Sequence, residues 1–360
     1  MITQTTTPGN KKVQKRLKKI ARKLLRVTFN NETVTHASNF QFLQTFKELI
    51  GFSEMVQTHL TLEYRYNALY TSNKLLDYLI DGICLGYTRF SHMEVFQQDP
   101  GYLLVKGDDR FPDESTFRRF LAKFKPEHLE QLTELNRKIL WRKACTENVR
   151  EVWIDIDDTV ITLFGDQEGG ETGYNPRYHG RSSLKLKVAF VAETGELVYL
   201  RLVGGKANAR KDLLDFIKEI EASLPPNYIL KGVRADSGFP DQEVMGYLEE
   251  RQIAYVFKLP KKATIKKAIL FLEHEPAFWE MLEKTKETWE KEESWAAADI
   301  SLVMTNWSKS RRVVIYREPE IHLPQEKQLT LPLITYTYQA IVTNLEPDEM
   351  TPTVTTRLYS

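Results

Sequence analysis

The spacing of hydrophobic positions changes once, decisively, along this chain. From residue 38 to 145 apolar side chains recur every three or four positions, so the whole stretch is predicted to be helical. Its clearest segment is FPDESTFRRFLAKFKPEHLEQL. There Pro112 and Asp113 mark a start, and Phe117, Phe120, Leu121 and Phe124 form the face to be buried. Arg118, Arg119 and Lys123 stay outside, and Pro126 punctuates the end. After Asn148 the period drops to two. VREVWIDIDDTVI, LKLKVAFVAE and ELVYLRLVGG read as strands, the last two joined by a turn at Thr194-Gly195. A helix (ARKDLLDFIKEIEASL), a strand (ILKGVRAD), a helix (DQEVMGYLEERQ) and a strand (IAYVFKL) complete a β-β-β-α-β-α-β order. Residues 261–299, rich in Lys, Glu and Trp, are predicted helical, and SLVMTN, RRVVIYRE and LITYTYQAIVTN follow as strands.

The first strand breaks its own pattern. VWIDIDDTVITL places Asp155, Asp157 and Asp158 where a buried strand wants Val and Ile. Burying a carboxylate without a partner costs several kcal/mol, so a metal ion, a phosphoryl group or an exit to solvent has to compensate. Alternation puts Asp155, Asp157 and Thr159 on one side of the strand, with Trp153 behind them. Two carboxylates on one face, joined by an acid from elsewhere, suit divalent cations that take oxygen ligands. Asp236, which ends a short strand at the Ser-Gly turn of GVRADSGF, is the obvious further acid. The plainer alternative is that Asp155 and Asp158 cap a turn and Asp236 begins one.

Composition narrows the class. A chain of 360 residues, 42% hydrophobic and 28% charged, is ordinary globular protein of two or three domains. The expected divisions are a basic arm (1–36), a helical DNA-binding region (37–145), a catalytic core (146–260), an insertion (261–332) and a late core segment (333–360). The net charge of +1 hides an asymmetry: residues 1–150 carry 24 Lys+Arg against 16 Asp+Glu, and residues 151–360 carry 26 against 33. A basic front and an acidic back suit an anionic partner gripped by one part and processed by the other, or plain surface variation. KKVQKRLKKIARKLLR, with nine Lys/Arg and no acid, adds an apolar stripe to a basic face and reads as a phosphate-contacting arm, Lys18 and Lys19 included. Helix Phe117–Phe124 could serve as the second helix of a helix-turn-helix unit, with Ser115, Arg118 and Arg119 toward DNA. Cys84 and Cys145 form neither a disulfide framework nor a zinc site, and no signal peptide or membrane span is evident, so a cytoplasmic protein is expected.

DIDDTV also fits the D-x-D-x-T/V signature of haloacid-dehalogenase-type phosphatases, with Asp155 as nucleophile and Asp157 as general acid/base; Asp236 and Asp241 would imitate their late acidic motif. Those enzymes alternate strand and helix into a doubly wound sheet. The order predicted here is a three-strand meander followed by helix and strand, which is ribonuclease-H-like: an α/β (α+β) mixed sheet, with a helical N-terminal region and an insertion after the second acid. That fold carries one acid on its first strand and another at the end of its fourth, here Asp157 and Asp236.

IDIDDTV, FGDQEGGETGYNPRYHGRSSLKLKVAF, GELVYLRLVGG, VRADSGF, YLEERQIAYVFKL and IVTNL arrive in an order that resembles the DDE transposases of bacterial insertion sequences, domain group 1, over roughly residues 110–358. The resemblance implies that Asp157 and Asp236 are the first two acids of the catalytic triad, with Asp155 in reserve. It implies two Mg²⁺ (or Mn²⁺) ions, and cutting and joining of double-stranded DNA at the inverted repeats of an element and at its target, by a homodimer. Near the metal site, Arg177, His179, Arg181 and Lys185 are candidate phosphate contacts, with Lys206, Arg210 and Lys211 weaker ones. The family's third acid lies in a Y-x2-R-x3-E helix after the strand ending VTNL. If Tyr359 begins that motif, its Arg and Glu fall beyond Ser360; YREPE (316–320), Glu346 and Glu349 sit beside prolines and suit it poorly. The expectation is a truncated transposase that binds DNA with little or no strand transfer, a non-enzymatic DNA-binding relic being the further alternative.

Overall fold

In the computed structural model, Thr35, Ala37 and residues 40–62, 68–207, 212–281, 296–322, 333–349 and 351 are described. Lys18, Lys19 and the rest of the basic arm lie outside them, as do Arg210, Lys211 and Tyr359. The chain divides into two compact units, residues 1–149 with 224–227, and 150–223 with 228–360.

The first unit is helical, as its periodicity predicts: α1 (Phe40–Ile50), α2 (Phe52–His59), α3 (Ser72–Cys84), a 3-10 segment (Phe90–Gln98), α4 (Pro100–Lys106), α5 (Glu114–Leu121) and α6 (Pro126–Ala144). Side-chain caps set the starts. Asp99 accepts from the Tyr102 amide ahead of Pro100, and Asp113 accepts from the Thr116 amide. Phe117 and Phe120 are fully buried, but Leu121 is 43% exposed, a correction to its expected place in the core. A two-turn helix has room on its inward face only for the two phenylalanines. The core is aromatic, and Phe96 stacks on Tyr102 at 4.1 Å.

Inside that core Asp81 is fully buried. It takes Lys47, the Lys106 ammonium (2.9 Å), the Gln44 amide (3.0 Å) and the Tyr102 hydroxyl (3.0 Å), and Asp77 binds the same two lysines. Two acids against two lysines leave the cluster neutral, which is what makes its burial tolerable.

In the second unit ten strands form one sheet among the described residues. They are β1 (Arg150–Thr162), β2 (Glu171–Thr172), β3 (Ser182–Val191), β4 (Leu197–Gly204), β5 (Tyr228–Ala235), β6 (Ala254–Leu259), β7 (Glu280–Met281), β8 (Ala296–Leu302), β9 (Arg311–His322) and β10 (Leu333–Thr343). β3 runs antiparallel to β1 and β4 antiparallel to β3, whereas β5 is parallel to β1 and β6 parallel to β5. The spatial order β4-β3-β1-β5-β6 is the ribonuclease-H-like fold. α7 (Leu213–Ser223) packs on β4 and α8 (Gln242–Glu250) on β6. The β3–β4 hairpin turns at Gly195, whose φ of 69° is a conformation that favours glycine.

β10, β9, β8 and β7 extend the same sheet beyond β6, after helix α9 (Ala263–His274). Among the described residues of 261–299 the helical expectation holds for α9 and, as a single 3-10 turn, for Pro276–Phe278. Ala296–Asp299 belong to β8, paired with β9, and Ala296, Ala297 and Ala298 are fully buried. Burial between strands overrides alanine's preference for helix. Glu249 of α8 ties this extension to the core: it accepts from Arg311 Nε (2.7 Å), Lys309 (2.9 Å) and the Tyr255 hydroxyl (2.9 Å). Burial pushes the Glu249 carboxyl up, but those donors outweigh it and hold it below its ordinary value.

Two stability predictions follow from these clusters. Asp81→Ala leaves two buried ammonium groups sharing the single carboxylate of Asp77, one uncompensated positive charge, and should cost about 3–5 kcal/mol in urea unfolding; a loss below about 1 kcal/mol would show the cluster to be solvated. For Glu249 the folded carboxyl is depressed, so its contribution is present above the unfolded glutamate value of about 4.3 and fades as pH falls through the lower folded value. Glu249→Gln should therefore destabilise by roughly 2 kcal/mol near neutrality, with the gap from wild type closing in acid.

Candidate active site

β1 sorts its side chains by alternation. Val152, Ile154 and Ile156 are buried on one face, and Trp153, Asp155 and Asp157 belong to the other. The parallel register with β5 pairs Asp155 with Arg234 and Ile156 with Ala235. The next position on β1 is Asp157, and the next after β5 is Asp236. Matched positions on parallel neighbours share a face and lie about 4.8 Å apart along the hydrogen-bond direction. Both aspartates are exposed, and Asp236 opens a turn in which the Phe239 amide donates to its carbonyl at 3.0 Å.

The three aspartates of β1 have three different fates. Asp155 receives a two-pronged bond from Arg234, Nε to Oδ1 at 2.5 Å and Nη2 to Oδ2 at 2.7 Å. Such fork-to-carboxylate pairs are strong and directional. Asp158 lies on the opposite face, across from Lys187 of β3 in the antiparallel register. Burial pushes the Asp158 carboxyl up while Lys187 and Lys185 pull it back; burial likewise pushes the Lys187 ammonium down, against Asp158. Lys187 is 5% exposed and lies over the rings of Phe216 and Phe239. Asp157 is the most open of the three and has no ion-pair partner among the described residues, its Oδ1 accepting from the Asp158 amide at 2.9 Å. On this face the Trp153 ring covers Gly232, where a Cβ would come within 2.5 Å of the indole, so any larger residue has to displace the ring.

This arrangement removes the phosphatase alternative. Its nucleophile, Asp155, is held by Arg234, and β1 is followed by an antiparallel meander rather than by a strand–helix crossover. Among the described residues no group of three His, Cys, Asp or Glu is placed to hold a metal. The Asp157–Asp236 pair nevertheless offers what a hard divalent cation takes: carboxylate oxygens open to water. Alternative third acids are distant. YREPE lies in β9, four strands from β1 in the sheet and hence about 19 Å away. Glu346 and Glu349 follow β10, whose Thr343 pairs with Val256 near the start of β6, the end of the sheet opposite Asp236.

The loop from β1 to β3 is built rather than slack. Asn175, 2% exposed, donates to Thr162 Oγ1 (2.9 Å) and accepts from the amides of Arg177 (3.2 Å) and Tyr178 (3.0 Å). Arg177, His179 and Arg181 are exposed, and Arg181 lies over the Phe164 ring at 5.0 Å. Lys185 is turned inward and donates to the Ala207 carbonyl at 2.7 Å, which takes it from the phosphate-contact set; Lys206 is exposed. In the helical unit, Arg118 is bound by Glu114 and Arg119 donates to Thr116 Oγ1 at 3.2 Å. Arg119, Lys123 and Arg110 line a cleft of about 480 Å³ with Tyr70 and Thr116.

Sequence reading missed Arg234, Lys187 and Asn175. Arg234 could have been found, because it stands two residues before Asp236 in VRAD and alternation puts both on one face. Lys187 and Asn175 give no such sign: a lysine in a strand and an asparagine in a loop read as solvent-facing.

Comparison with known proteins bears on this geometry. Residues 17–360 match the family described as Transposase DDE domain group 1. No curated protein matches. Among solved structures the chain is similar to a piggyBac transposase synaptic complex with hairpin DNA, at 10% identity and a TM-score of 0.36, over 96% of this chain and 61% of that one. It is also similar to a Drosophila P element transposase strand transfer complex, at 10% identity and a TM-score of 0.28, over 60% and 43%. A Mos1 transposase paired-end complex matches at 9% identity and a TM-score of 0.19, over 79% and 88%. The chain thus spans less than two thirds of the piggyBac and P element chains it matches. With a family match over nearly its whole length, the chain belongs to the transposase DDE domain group 1 family.

Proposed function

We propose that this chain binds the ends of a mobile DNA element as a homodimer on double-stranded DNA and carries two acids of a site that cuts and joins phosphodiester bonds there, with little or no strand transfer for want of a third acid among the described residues. In this reading Asp157 and Asp236 hold divalent metal, Mg²⁺ or Mn²⁺. The observation that carries it is the register of β1 against β5, which makes these two exposed acids consecutive to the Ile156–Ala235 pair. When bound, the metal supplies Lewis acidity at the phosphodiester and at the attacking hydroxyl.

The chain's own residues do the rest. Asp157 and Asp236 concentrate negative charge at one spot on the sheet, where cations gather and bare phosphates do not. Arg234 occupies Asp155, so that acid does not compete for metal, and the fork between them holds the two strands in register. Arg177, His179 and Arg181 carry positive charge into the loop beyond β1 and are placed for phosphates flanking the bond to be cut. In the helical unit Arg119 and Lys123 would grip the duplex backbone.

Two measurements test this. Trp153 shares a face with both acids, so Tb³⁺ bound at the pair should glow on excitation of tryptophan. That emission should be lost in Asp157→Asn and Asp236→Asn and kept in Asp155→Asn. Nicking of element-end DNA with Mg²⁺ or Mn²⁺ should fall by at least about 100-fold in the first two variants, as expected when a group acting in the transition state is removed. Metal binding that ignores both substitutions would refute the assignment, and turnover of an aryl phosphate dependent on Asp155 would restore the phosphatase. Separately, a double-mutant cycle on Arg234→Gln and Asp155→Asn should give a coupling of about 1 kcal/mol in unfolding. No coupling would mean that the fork does not set the register.

A further inference from the structure

The loop that follows β1 exposes aromatic rings that the mechanism above does not use. Phe164 is 65% exposed, Tyr174 72% and Tyr178 47%. In a monomeric soluble protein single exposed aromatics need no explanation, but three on one short loop do. They are not loosely hung. Phe164 and Tyr178 meet edge to face at 5.4 Å, and the Arg181 guanidinium lies on the Phe164 ring. The buried Asn175, through the Arg177 and Tyr178 amides, sets the backbone that presents Tyr178, and the Arg181 amide donates to the Tyr178 carbonyl at 3.2 Å.

Charge on this loop is divided. Asp166, Glu168 and Glu171 lie between Phe164 and Tyr174, and Glu171 is engaged with the Lys206 amide at 3.2 Å. Arg177, His179 and Arg181 are interleaved with them. Aromatic faces alternating with cations are what a protein uses to hold unpaired nucleotides: each base offers a π-face to stack, and each intervening phosphate needs a positive charge. A fully paired duplex hides those faces in its own stack and gives the rings nothing to bind.

We propose that Phe164, Tyr174 and Tyr178, with Arg177 and Arg181, form a subsite for unpaired nucleobases, so that the preferred DNA has one or more bases out of the helix beside the cleavage point. The inference rests on the reading of this chain as a DNA-cutting transposase and adds the state of the DNA that it engages. The placement sets a distance. Thr162, which anchors Asn175, is five residues along β1 from Asp157, about 17 Å at the rise of a strand. On stacked DNA that is roughly five base steps, so the unpaired bases lie within that span of the scissile phosphate.

The experiment compares binding of the full chain to a blunt duplex and to the same duplex with a short oligothymidine overhang, with 2-aminopurine in the overhang to report stacking. Wild type should bind the overhang DNA about 10-fold more tightly than the blunt DNA and quench the 2-aminopurine. Phe164→Ala and Tyr178→Ala should erase the preference while leaving blunt-duplex binding unchanged. Phe164→Leu, which keeps apolar bulk but no ring, should behave like Phe164→Ala. Arg181→Gln should lower the salt dependence of overhang binding by about one unit of slope. Equal affinity for the two DNAs, or ring variants that keep the preference, would overturn the proposal. A chain that prefers the overhang through these rings yet never cleaves DNA would support the subsite and defeat the transposase reading instead.

Discussion

The parallel pairing of β1 with β5 is the constraint on which the site depends. A parallel ladder aligns residues far apart in sequence only if its register is right, and a shift by one residue would send Asp157 and Asp236 to opposite faces. The ladder carries its own check. Asp155 and Arg234 stand one step before Ile156 and Ala235, and their side chains close a fork that forms only in this register. Trp153 over Gly232 marks the same alignment further back, since any larger residue there has to displace the indole. Two successive contacts on one face therefore lead to the acid pair at its end.

The puzzle of three carboxylates in a strand resolves into three separate balances. One is matched by an arginine on the same face, one by a buried lysine on the other, and one is left to water. The last is the one left without a basic partner to neutralise it. Structural and functional acids can thus share a four-residue stretch, because strand alternation sends neighbours to opposite environments.

Much of this was legible beforehand. The β-β-β-α-β-α-β order, the Gly195 hairpin and the helical character of residues 40–144 follow from period and turn chemistry, and Asp157 with Asp236 follows from that topology. Period says less where burial is decided by distant partners. Leu121 looked inward because its spacing fits, yet its helix ends before it can pack. Ala296–Ala298 looked helical because they close a stretch rich in Lys, Glu and Trp, yet they belong to a strand whose pairing no local pattern announces. Lys185 looked like a phosphate contact, yet it bonds a carbonyl of its own unit. In each case the competing interaction lies tens of residues away, outside any window read along the chain.

Diffraction from crystals soaked in Mn²⁺ tests the central claim most directly. Anomalous density should appear between Asp157 and Asp236, at roughly the 2.0–2.2 Å expected for a small divalent ion on carboxylate oxygens, with Asp155 still bound to Arg234. Manganese bound elsewhere, or the two carboxylates turned to opposite faces of the sheet, would contradict it.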